Sequence, residues 1–466
     1  MDFVTTLKRD LGADIITEPN AIEVRYMGDW MCRAEAVHPM ALARPRTTAE
    51  VSAILRLCHS QHVPVVPQGG RTGLAGGATP GEGWLILSLE RMHTIAPANT
   101  ASASIVVGAG ALLQSVQEAA DDADLLFPLD IGARGSCTIG GNISTNAGGN
   151  RVLRYGMMRD LVLGLEVVLA DGTTIHAMNT LLKNNAGYDL KQLFIGSEGT
   201  LGVVTGAVLR LFPKPRSVQT ALCAVANYEA VLSLLQSAKS QLGANLSAFE
   251  VMWPDFYRLG TDGLGRRAPV AHGYGLYILV ESMGTDEERD ELQFQDFVEK
   301  AFGEGFLQDA VIAHSVKERR EIWAVRDSSG EFRKTLWPNV GFDVSLPVDE
   351  IGRFVKDCRT RLLARWKDAQ SVWFGHAADS NLHICVRLPG FDTQPEHEID
   401  ALIYGCVGDY GGSVSAEHGI GLLKRDYLYK SRNEQERATM RLLKRALDPN
   451  NILNPGKIWE CNLEIP

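Results

Sequence analysis

The chain of 466 residues is too long for a single hydrophobic core, so two or three domains are expected. Its formal net charge of −10 at pH 7 disfavours nucleic acid and anionic membranes as partners. No apolar run approaches the length of a membrane span, and the N-terminus lacks the apolar core of a signal peptide. The eight cysteines include no C-x-x-C pair, so the sequence predicts reduced thiols and a cytoplasmic location.

The first clear elements are a helix, a short strand and a glycine-rich turn. Thr47 and Glu50 form a capping box before apolar residues with helical spacing, and residues 63–66 predict a buried strand. This strand runs into the loop 67–77, PQGGRTGLAGG. Because glycine lets backbone N–H groups lie close to a ligand, the combination indicates an anion-binding unit.

Two further glycine-rich loops follow, at residues 128–149 (PLDIGARGSCTIGGNISTNAGG) and 196–202 (GSEGTLG). From composition alone, a long flexible loop at 128–149 is an equally good interpretation. Three such loops, each after an apolar segment, favour a large anionic cofactor instead. A nicotinamide dinucleotide is not indicated, because the G-x-G-x-x-G pattern that Gly108 and Gly110 begin has leucine at position 113.

A domain boundary is predicted at the proline pair of residues 213–215, after a hairpin that Asp171 and Gly172 mark. Beyond it, strands and helices alternate. Strands are predicted at 217–225, 246–251 and 276–280, and helices at 228–241, 315–332 and 434–447. Thr285 and Glu288 predict the capped start of one more helix.

Several motifs in the same order resemble those of FAD-linked oxidases of the vanillyl-alcohol oxidase superfamily. They are PQGGRTGLAGG, GSCTIGGNISTNAGG, GSEGTLGVVT and the closing NPGK. The motifs GHAADSNLH (375–383) and SAEHGIG (415–421) narrow the resemblance to the D-2-hydroxyacid dehydrogenase branch, with its D-lactate dehydrogenases, D-2-hydroxyglutarate dehydrogenases and glycolate oxidase subunits. The resemblance extends over residues 45–457.

The resemblance implies an α+β fold in three parts. Residues 1–214 would form an FAD-binding domain of two α+β subdomains with its core from residue 40, residues 215–421 an antiparallel-sheet cap domain for the substrate, and residues 422–466 a helical segment returning to the FAD domain. FAD is expected to bind non-covalently, because neither of the first two loops contains histidine and Cys137 lies in a motif that non-covalent relatives share.

The same resemblance assigns the cofactor-binding residues, whose backbone amides would offset the two phosphate charges. The expected set is Gln68, Gly69, Gly70, Arg71, Thr72, Gly73, Leu74, Pro128, Gly135, Ser136, Cys137, Thr138, Gly140, Gly141, Asn142, Thr145, Asn146, Gly148, Gly149, Glu198, Gly199, Gly202, Val203 and Asn454.

A metal site is predicted at His376, His383 and Glu417. Two histidines and a carboxylate suit zinc or a similar divalent ion and leave a position open for substrate. Without the family resemblance, hydrogen-bonded structural histidines would be the commoner interpretation. With it, these three residues match a metal trio.

His418 and Arg326 are the predicted catalytic residues. An unperturbed imidazole titrates at about 6.5, so His418 can take the substrate's hydroxyl proton while hydride moves from C2 to flavin N5. Arg326 matches the family arginine that binds the substrate's C1 carboxylate bidentately. The alternatives are a structural hydrogen bond for His418 and a surface position on an amphipathic helix for Arg326.

Three positions depart from the hydroxyglutarate-type members that the resemblance covers. Gly330, Gly341 and Cys385 stand where threonine, lysine and asparagine are expected to bind the second carboxylate. Losing a cation and two hydrogen-bonding groups disfavours a dianionic substrate. A D-lactate-like monocarboxylate is therefore predicted, with D-2-hydroxyglutarate as the alternative.

The remaining expectations concern partners and rival functions. The reduced flavin is expected to pass electrons to an electron-transfer flavoprotein or a quinone, and a homodimer is expected from the resemblance. One rival is a non-redox enzyme like the alkyl-glycerone-phosphate synthases, whose histidine-rich run is not found here. Another is a non-catalytic flavin-binding subunit, which would lack the histidine and glutamate motifs.

Overall fold

The computed structural model describes residues 2–34 and 36–460, without the side chains of residues 333 and 334. The chain forms two compact units. Unit 1 comprises Met1–Gly149, Gly156–Lys214 and Glu417–Pro466, and unit 2 comprises Asn150–Tyr155 and Pro215–Ala416. Residues 417–421 thus group with the N-terminal part of the chain. The functional domain limits 1–214, 215–421 and 422–466 remain predictions.

Unit 1 contains two four-stranded sheets and a two-stranded ribbon. Its strands are β1 (Ile16–Thr17), β2 (Ala41–Ala43), β3 (Val65–Gln68), β4 (Leu85–Ser88), β5 (Ser104–Gly108), β6 (Leu125–Leu126), β7 (Val162–Val168), β8 (Thr174–Ala177), β9 (Val203–Arg210) and β10 (Phe212–Pro213). The sheets have the orders β1-β2-β4-β3 and β5-β9-β7-β8, and β6 pairs with β10. In the first sheet β4 runs parallel to both β2 and β3, whereas the second sheet is antiparallel.

Short helices connect these strands. Those before the C-terminal segment are α1 (Phe3–Leu11), α2 (Thr48–Gln61), α3 (Leu113–Asp121), α4 (Ile139–Ser144), α5 (Val152–Tyr155), α6 (Met158–Leu161) and α7 (Lys191–Phe194), of which α5 belongs to unit 2. The Thr47–Glu50 capping box is confirmed at the start of α2. The hairpin at Asp171 and Gly172 is confirmed by the pairing of β7 with β8.

The unit 2 sheet has seven strands, all paired antiparallel. They are β11 (Ser217–Val225), β12 (Leu246–Met252), β13 (Leu276–Gly284), β14 (Asp309–Ile312), β15 (Val340–Ser345), β16 (Gln370–Gly375) and β17 (Asn381–Arg387). Their order is β14-β11-β13-β12-β16-β17-β15. The predicted antiparallel sheet and mixed α+β class are confirmed.

Helices cover this sheet on its apolar faces. They are α8 (Tyr228–Leu242), α9 (Pro254–Gly260), α10 (Glu287–Gly303), α11 (Val316–Arg326), α12 (Ile351–Arg365) and α13 (Glu396–Asp409), and α14 (Glu434–Leu447) follows in unit 1. Phe256 of α9 and Ile322 of α11 share one core with Met252, Leu279 and Phe374 of the strands. This packing brings α11 onto the sheet over β11 and β13, and Arg326 at its end reaches Glu250 of β12.

Two helix limits differ from the sequence prediction. The N-cap of α10 is Asp286, whose side chain accepts the Arg289 N–H at 3.2 Å, so the predicted cap at Thr285 was wrong. Aspartate is the stronger capping residue, and it stands one position later. The helix that was predicted over 315–332 ends at Arg326 and continues as a 3-10 helix over Asp327–Lys334.

Unit 1 is completed by residues from the C-terminal end of the chain. The Val65 N–H donates to the Ile452 carbonyl at 2.7 Å, and the Asn454 N–H donates to the Val65 carbonyl at 2.8 Å. Residues 452–454 therefore lie along β3, the strand that leads into the first glycine-rich loop. None of the helices in the described part of the chain has the length and apolarity needed to cross a bilayer.

Lys444 of α14 anchors this C-terminal segment from inside unit 1. Its side chain is about 1% exposed, and Nζ donates to the carbonyls of Thr200 (2.9 Å) and Leu453 (2.7 Å) and to the Asp448 carboxylate. The same carboxylate accepts the Ile452 and Leu453 N–H groups. A buried ammonium with these partners fixes α14 against the third glycine-rich segment.

Candidate active site

The first two glycine-rich loops pack backbone against backbone within unit 1. A Cβ on Gly69 would lie 2.4 Å from the Thr138 hydroxyl oxygen, and one on Gly70 would lie 2.1 Å from the Ser136 carbonyl oxygen. Any side chain larger than hydrogen would therefore separate the loops. Gly69 and Gly70 are required by this close approach, which the flexible-loop interpretation does not explain.

Polar atoms in these loops are available to a cofactor. Gln68 is buried and donates to the carbonyls of Tyr26 and Ala78, each at 2.8 Å, so its amide nitrogen is used structurally. Gln68 Oε1, Thr138 Oγ1 and Asn454 Oδ1 are buried without a hydrogen-bond partner among the described residues. Since buried polar atoms are normally satisfied, these three atoms fit a bound polar group such as FAD.

Glu198 has a role that the sequence did not predict. Its carboxylate accepts the Ile420 N–H at 2.7 Å and the Gly421 N–H at 2.8 Å. Burial raises the pKa of Glu198, against the opposing effect of these two hydrogen bonds. Gly419 has φ +82, and a Cβ there would lie 2.9 Å from the Glu198 carboxyl carbon. Glu198 therefore fixes the backbone directly after His418.

Glu417 is held by the second glycine-rich loop. The Gly149 N–H donates to Glu417 Oε1 at 2.6 Å, within unit 1. The last amide of the GSCTIGGNISTNAGG loop thus sets the side chain that the sequence proposes as a metal ligand. This bond holds the Glu417 side chain, and the Glu198 contacts hold the backbone after His418, so the Glu417–His418 segment is fixed at both ends.

His376 and His383 come together in unit 2 because β16 and β17 form a hairpin around them. Their ring centroids lie 5.5 Å apart with the planes at 78°, and a nitrogen of each ring lies within 4.8 Å of one in the other. The structure thus brings two of the three predicted metal ligands together. Glu417 belongs to unit 1, so the complete trio remains a prediction.

Glu250 of β12 is the main residue that the sequence analysis missed. It is about 1% exposed, and its Oε1 lies 2.5 Å from His376 Nδ1 while Oε2 accepts the Arg326 Nε–H at 2.6 Å. Arg326, which is about 4% exposed, also places Nη2 3.3 Å from His376 Nε2. Arg326 is therefore a buried residue at this cluster, not a surface arginine.

The charges of this cluster support one another. Burial alone would raise the pKa of Glu250, but the positive charge of Arg326 and the hydrogen bonds from His376 and Arg326 outweigh burial and lower the pKa to about 2. Glu250 is consequently an anion at neutral pH. A single charged residue, glutamate, within the strand LSAFEVM was the available sequence signal, since a buried charge requires a partner.

His383 has its own buried carboxylate. Asp343 of β15 pairs with His383 of β17 in the sheet, and Asp343 Oδ1 lies 3.8 Å from His383 Nδ1. Asp343 Oδ2 accepts the Ala416 N–H at 3.2 Å and the Ser415 hydroxyl at 3.4 Å, just before Glu417 in the chain. Carboxylates that accept from Nδ1 are the usual partners of metal-binding histidines. His376 has this contact with Glu250, whereas Asp343 Oδ1 lies beyond hydrogen-bond distance of His383 Nδ1.

Gly341 and Cys385, two of the three positions that depart from the hydroxyglutarate-type members, are uncharged and lie in the sheet near His383. Gly341 pairs with Cys385, two residues along from the pair formed by Asp343 and His383. A Cβ on Gly341 or on Gly330 would meet nothing within 4 Å. Burial raises the pKa of the Cys385 thiol to about 12, so it is neutral. These residues leave space but offer no cation.

Trp323 and Arg326, one turn apart on α11, reach two separate buried carboxylates. Trp323 Nε1 donates to Glu281 of β13 at 2.8 Å, and the Thr220 hydroxyl donates to the same carboxylate at 3.2 Å. Burial raises the pKa of Glu281 above 4.5, with Arg151 opposing. Glu281 therefore helps to seat α11 but contacts neither His376 nor Arg326 through a described hydrogen bond.

Replacing Glu281 by glutamine is expected to change the pH dependence of stability. A carboxyl group with a raised folded-state pKa stabilises the fold below its unfolded pKa and loses that contribution as pH rises through the folded pKa. The variant should therefore gain stability relative to the wild type as pH rises from 4.5. Urea unfolding of both proteins at about pH 4.5 and pH 8 measures the difference. A difference that does not vary with pH would contradict the raised pKa.

The comparisons with known proteins cover both units. Residues 39–178 match the family described as FAD binding domain, and residues 214–458 match FAD linked oxidases, C-terminal domain. Mitochondrial D-2-hydroxyglutarate dehydrogenase of Bos taurus is 39% identical over 98% of this chain and 83% of its own length. D-2-hydroxyglutarate dehydrogenase of Xanthomonas citri pv. viticola is 39% identical over 96% of this chain and 94% of its own length. A putative mitochondrial D-lactate dehydrogenase of Schizosaccharomyces pombe is 36% identical over 96% of this chain and 86% of its own length.

Two solved structures share the fold at low sequence identity. p-Cresol methylhydroxylase with substrate bound has a TM-score of 0.75 at 18% identity and covers 99% of this chain and 97% of its own. Alkyldihydroxyacetonephosphate synthase has the same TM-score and identity and covers 97% and 85%. At this identity the likeness concerns the fold alone, so it does not support a non-redox function like that of the alkyl-glycerone-phosphate synthases.

The chain belongs to the FAD-linked oxidase family. It is an FAD-dependent oxidoreductase, as the motifs predicted, and the predicted FAD cofactor is supported by both family matches. The relatives' names favour D-2-hydroxyglutarate over the D-lactate-like substrate that the sequence predicted. Zinc, the homodimer, the electron acceptor, the cytoplasmic location and the roles of the individual site residues remain predictions.

Proposed function

We propose that the protein oxidises a D-2-hydroxy acid to the 2-oxo acid. The observation that carries this proposal is the position of the Arg326 guanidinium 3.3 Å from His376 Nε2, with both groups on Glu250. A 2-hydroxy acid carries a carboxylate beside a hydroxyl group. The guanidinium suits the carboxylate, and a metal ion held by His376 would contact the hydroxyl group. The motif resemblance and the relatives' names support the same chemistry.

The residues of the chain would divide the reaction between them. Arg326 binds the C1 carboxylate, and His418 accepts the hydroxyl proton as the C2–H bond gives up its hydride. His376, His383 and Glu417 hold a divalent metal, zinc by the resemblance, which when bound would lower the pKa of the substrate hydroxyl. FAD would supply the hydride acceptor and is expected to be non-covalent.

D-2-Hydroxyglutarate is the first substrate candidate, because relatives covered over most of their length carry that name. D-Lactate, or a longer apolar 2-hydroxy acid, is the second. The neutral surface of Gly341 and Cys385 favours it, since a second carboxylate buried there would lack a cation. An electron-transfer flavoprotein or a quinone is the proposed acceptor, and a cytoplasmic homodimer the proposed state.

Anaerobic mixing with D-2-hydroxyglutarate or D-lactate is expected to bleach the visible absorption of the flavin. L-Lactate is expected to leave this absorption unchanged. Chelation should abolish bleaching by the D-acid and zinc should restore it. The ratio of the flavin reduction rates with D-2-hydroxyglutarate and D-lactate decides between the two candidates. A yellow protein that neither D-acid bleaches would refute the proposal.

Placing a cation on the neutral surface should change that ratio. Gly341→Lys introduces an ammonium at a position with free space, so the kcat/KM ratio for D-2-hydroxyglutarate over D-lactate should rise by about 10-fold or more, as a charge-assisted hydrogen bond contributes. Gly341→Gln, a long neutral side chain, is the matched control. Equal ratios in both variants would show that the second carboxylate does not reach Gly341.

A further inference from the structure

Glu250 is the only carboxylate that the described hydrogen bonds place on both His376 and Arg326. Its two oxygens are divided between them, one on His376 Nδ1 and the other on Arg326 Nε. All three side chains are at most 7% exposed. Solvent therefore does not satisfy any of these groups in place of a protein partner.

The contact determines which nitrogen of His376 carries the proton. A carboxylate only accepts hydrogen bonds, so the imidazole donates from Nδ1 and Nε2 keeps its lone pair. Arg326 Nη2, a donor, lies 3.3 Å from that Nε2, which agrees with this tautomer. Nε2 is then the nitrogen that a metal ion would bind, in place of its contact with Arg326 Nη2, as in metal sites where a carboxylate holds the histidine ligand.

We propose that Glu250 is a positioning residue that sets the tautomer of His376 for metal binding and, with its other oxygen, orients Arg326 for the substrate carboxylate. One side chain thus couples the metal ligand to the substrate-binding arginine. This inference rests on the proposed function for the roles of metal and substrate. The tautomer itself does not depend on that function.

Glu281 provides a matched control in the same sheet. It is a buried glutamate on the strand next to β12, about 3% exposed, and it also contacts α11, through Trp323. Its described hydrogen bonds include neither His376 nor Arg326. Comparing Glu250→Gln with Glu281→Gln therefore separates the positioning of His376 and Arg326 from the general effect of removing a buried carboxylate.

Glu250→Gln presents one acceptor oxygen instead of two. Arg326 can only donate, so it retains that oxygen, and the amide NH2 then faces His376 Nδ1. The proton of His376 should move to Nε2. Nitrogen-15 shifts of the metal-free protein, assigned with His376→Asn, report this change. Zn²⁺ affinity from chelator competition should fall by about 10–100-fold, and Glu281→Gln should leave both measurements unchanged.

Several outcomes would overturn the inference. An unchanged tautomer and Zn²⁺ affinity in Glu250→Gln would do so, as would equal changes in Glu281→Gln. If the wild type binds no Zn²⁺, the proposed metal site is wrong, and the tautomer measurement alone decides the role of Glu250. If Glu250→Gln does not fold, the charge-balanced Glu250→Met/Arg326→Met variant, which leaves His376 Nδ1 without its acceptor, carries the same two measurements.

Discussion

Replacing His418 by glutamine is expected to lower the rate of flavin reduction by about 10²–10⁴-fold, the range for loss of a general base. Glutamine retains hydrogen-bonding groups of similar reach but does not accept a proton at neutral pH. The backbone around residue 418 should persist, because Glu198 continues to bind the N–H groups of Ile420 and Gly421. FAD content and Zn²⁺ binding are therefore expected to stay unchanged.

Stopped-flow mixing under anaerobic conditions with D-2-hydroxyglutarate and D-lactate measures this rate directly. His176→Gln is the control, since His176 is an exposed histidine of the same unit whose described partner is Glu166. A decrease of less than about 10-fold with either acid would place the base elsewhere. A loss of FAD in the variant would assign His418 a structural role instead.

Replacing Lys444 by methionine is expected to lower the free energy of unfolding of unit 1 by about 3–5 kcal/mol, the range for breaking a buried ion pair. Methionine fills a similar volume but leaves the Asp448 carboxylate buried without its cation. The carbonyls of Thr200 and Leu453 also lose their common donor. Release of FAD during urea unfolding should report the change, because the FAD-binding family match lies in residues 39–178.

Neutralising the partner tests the electrostatic cause. Lys444→Met/Asp448→Asn removes both charges, so it should recover a large part of the loss while the two carbonyls stay unsatisfied. Lys183→Met, at an exposed position of unit 1, should have no effect on the same transition. A double variant no more stable than Lys444→Met would show that the carbonyl contacts, not the ion pair, hold α14 in place.

The sequence predicted features whose cause is local. The capping box of Thr47 and Glu50 lies within one helical turn. The strand predicted at 217–225, whose second half is the apolar run ALCAV, is reproduced as β11. The glycine-rich segments were recognisable by composition, but the expectation that this composition excludes a helix was wrong, because residues 139–144 of the second segment form α4. The error at Thr285 was also local, since Asp286 beside it is the better cap.

The contacts that shape the site could not be predicted in this way. Glu250 meets Arg326 and His376 across 76 and 126 residues of sequence, and Glu198 meets Gly421 across 223. No spacing rule relates residues so far apart, because the sheet order and the return of the chain bring them together. Motifs identified His376, His383 and Arg326, whereas their carboxylate partners required the structure.

The return of the C-terminal segment has a consequence for synthesis on the ribosome. Unit 2 has all its residues once position 416 has been made, so it can fold as soon as that residue emerges. Unit 1 cannot be completed then, because β3, which pairs with β4 on one edge, obtains its partner on the other edge only when residues 452–454 appear. At about 5–20 residues per second, β3 waits on the order of tens of seconds with an open edge. We expect chaperones to bind most strongly to nascent chains arrested between the end of β3 and residue 452.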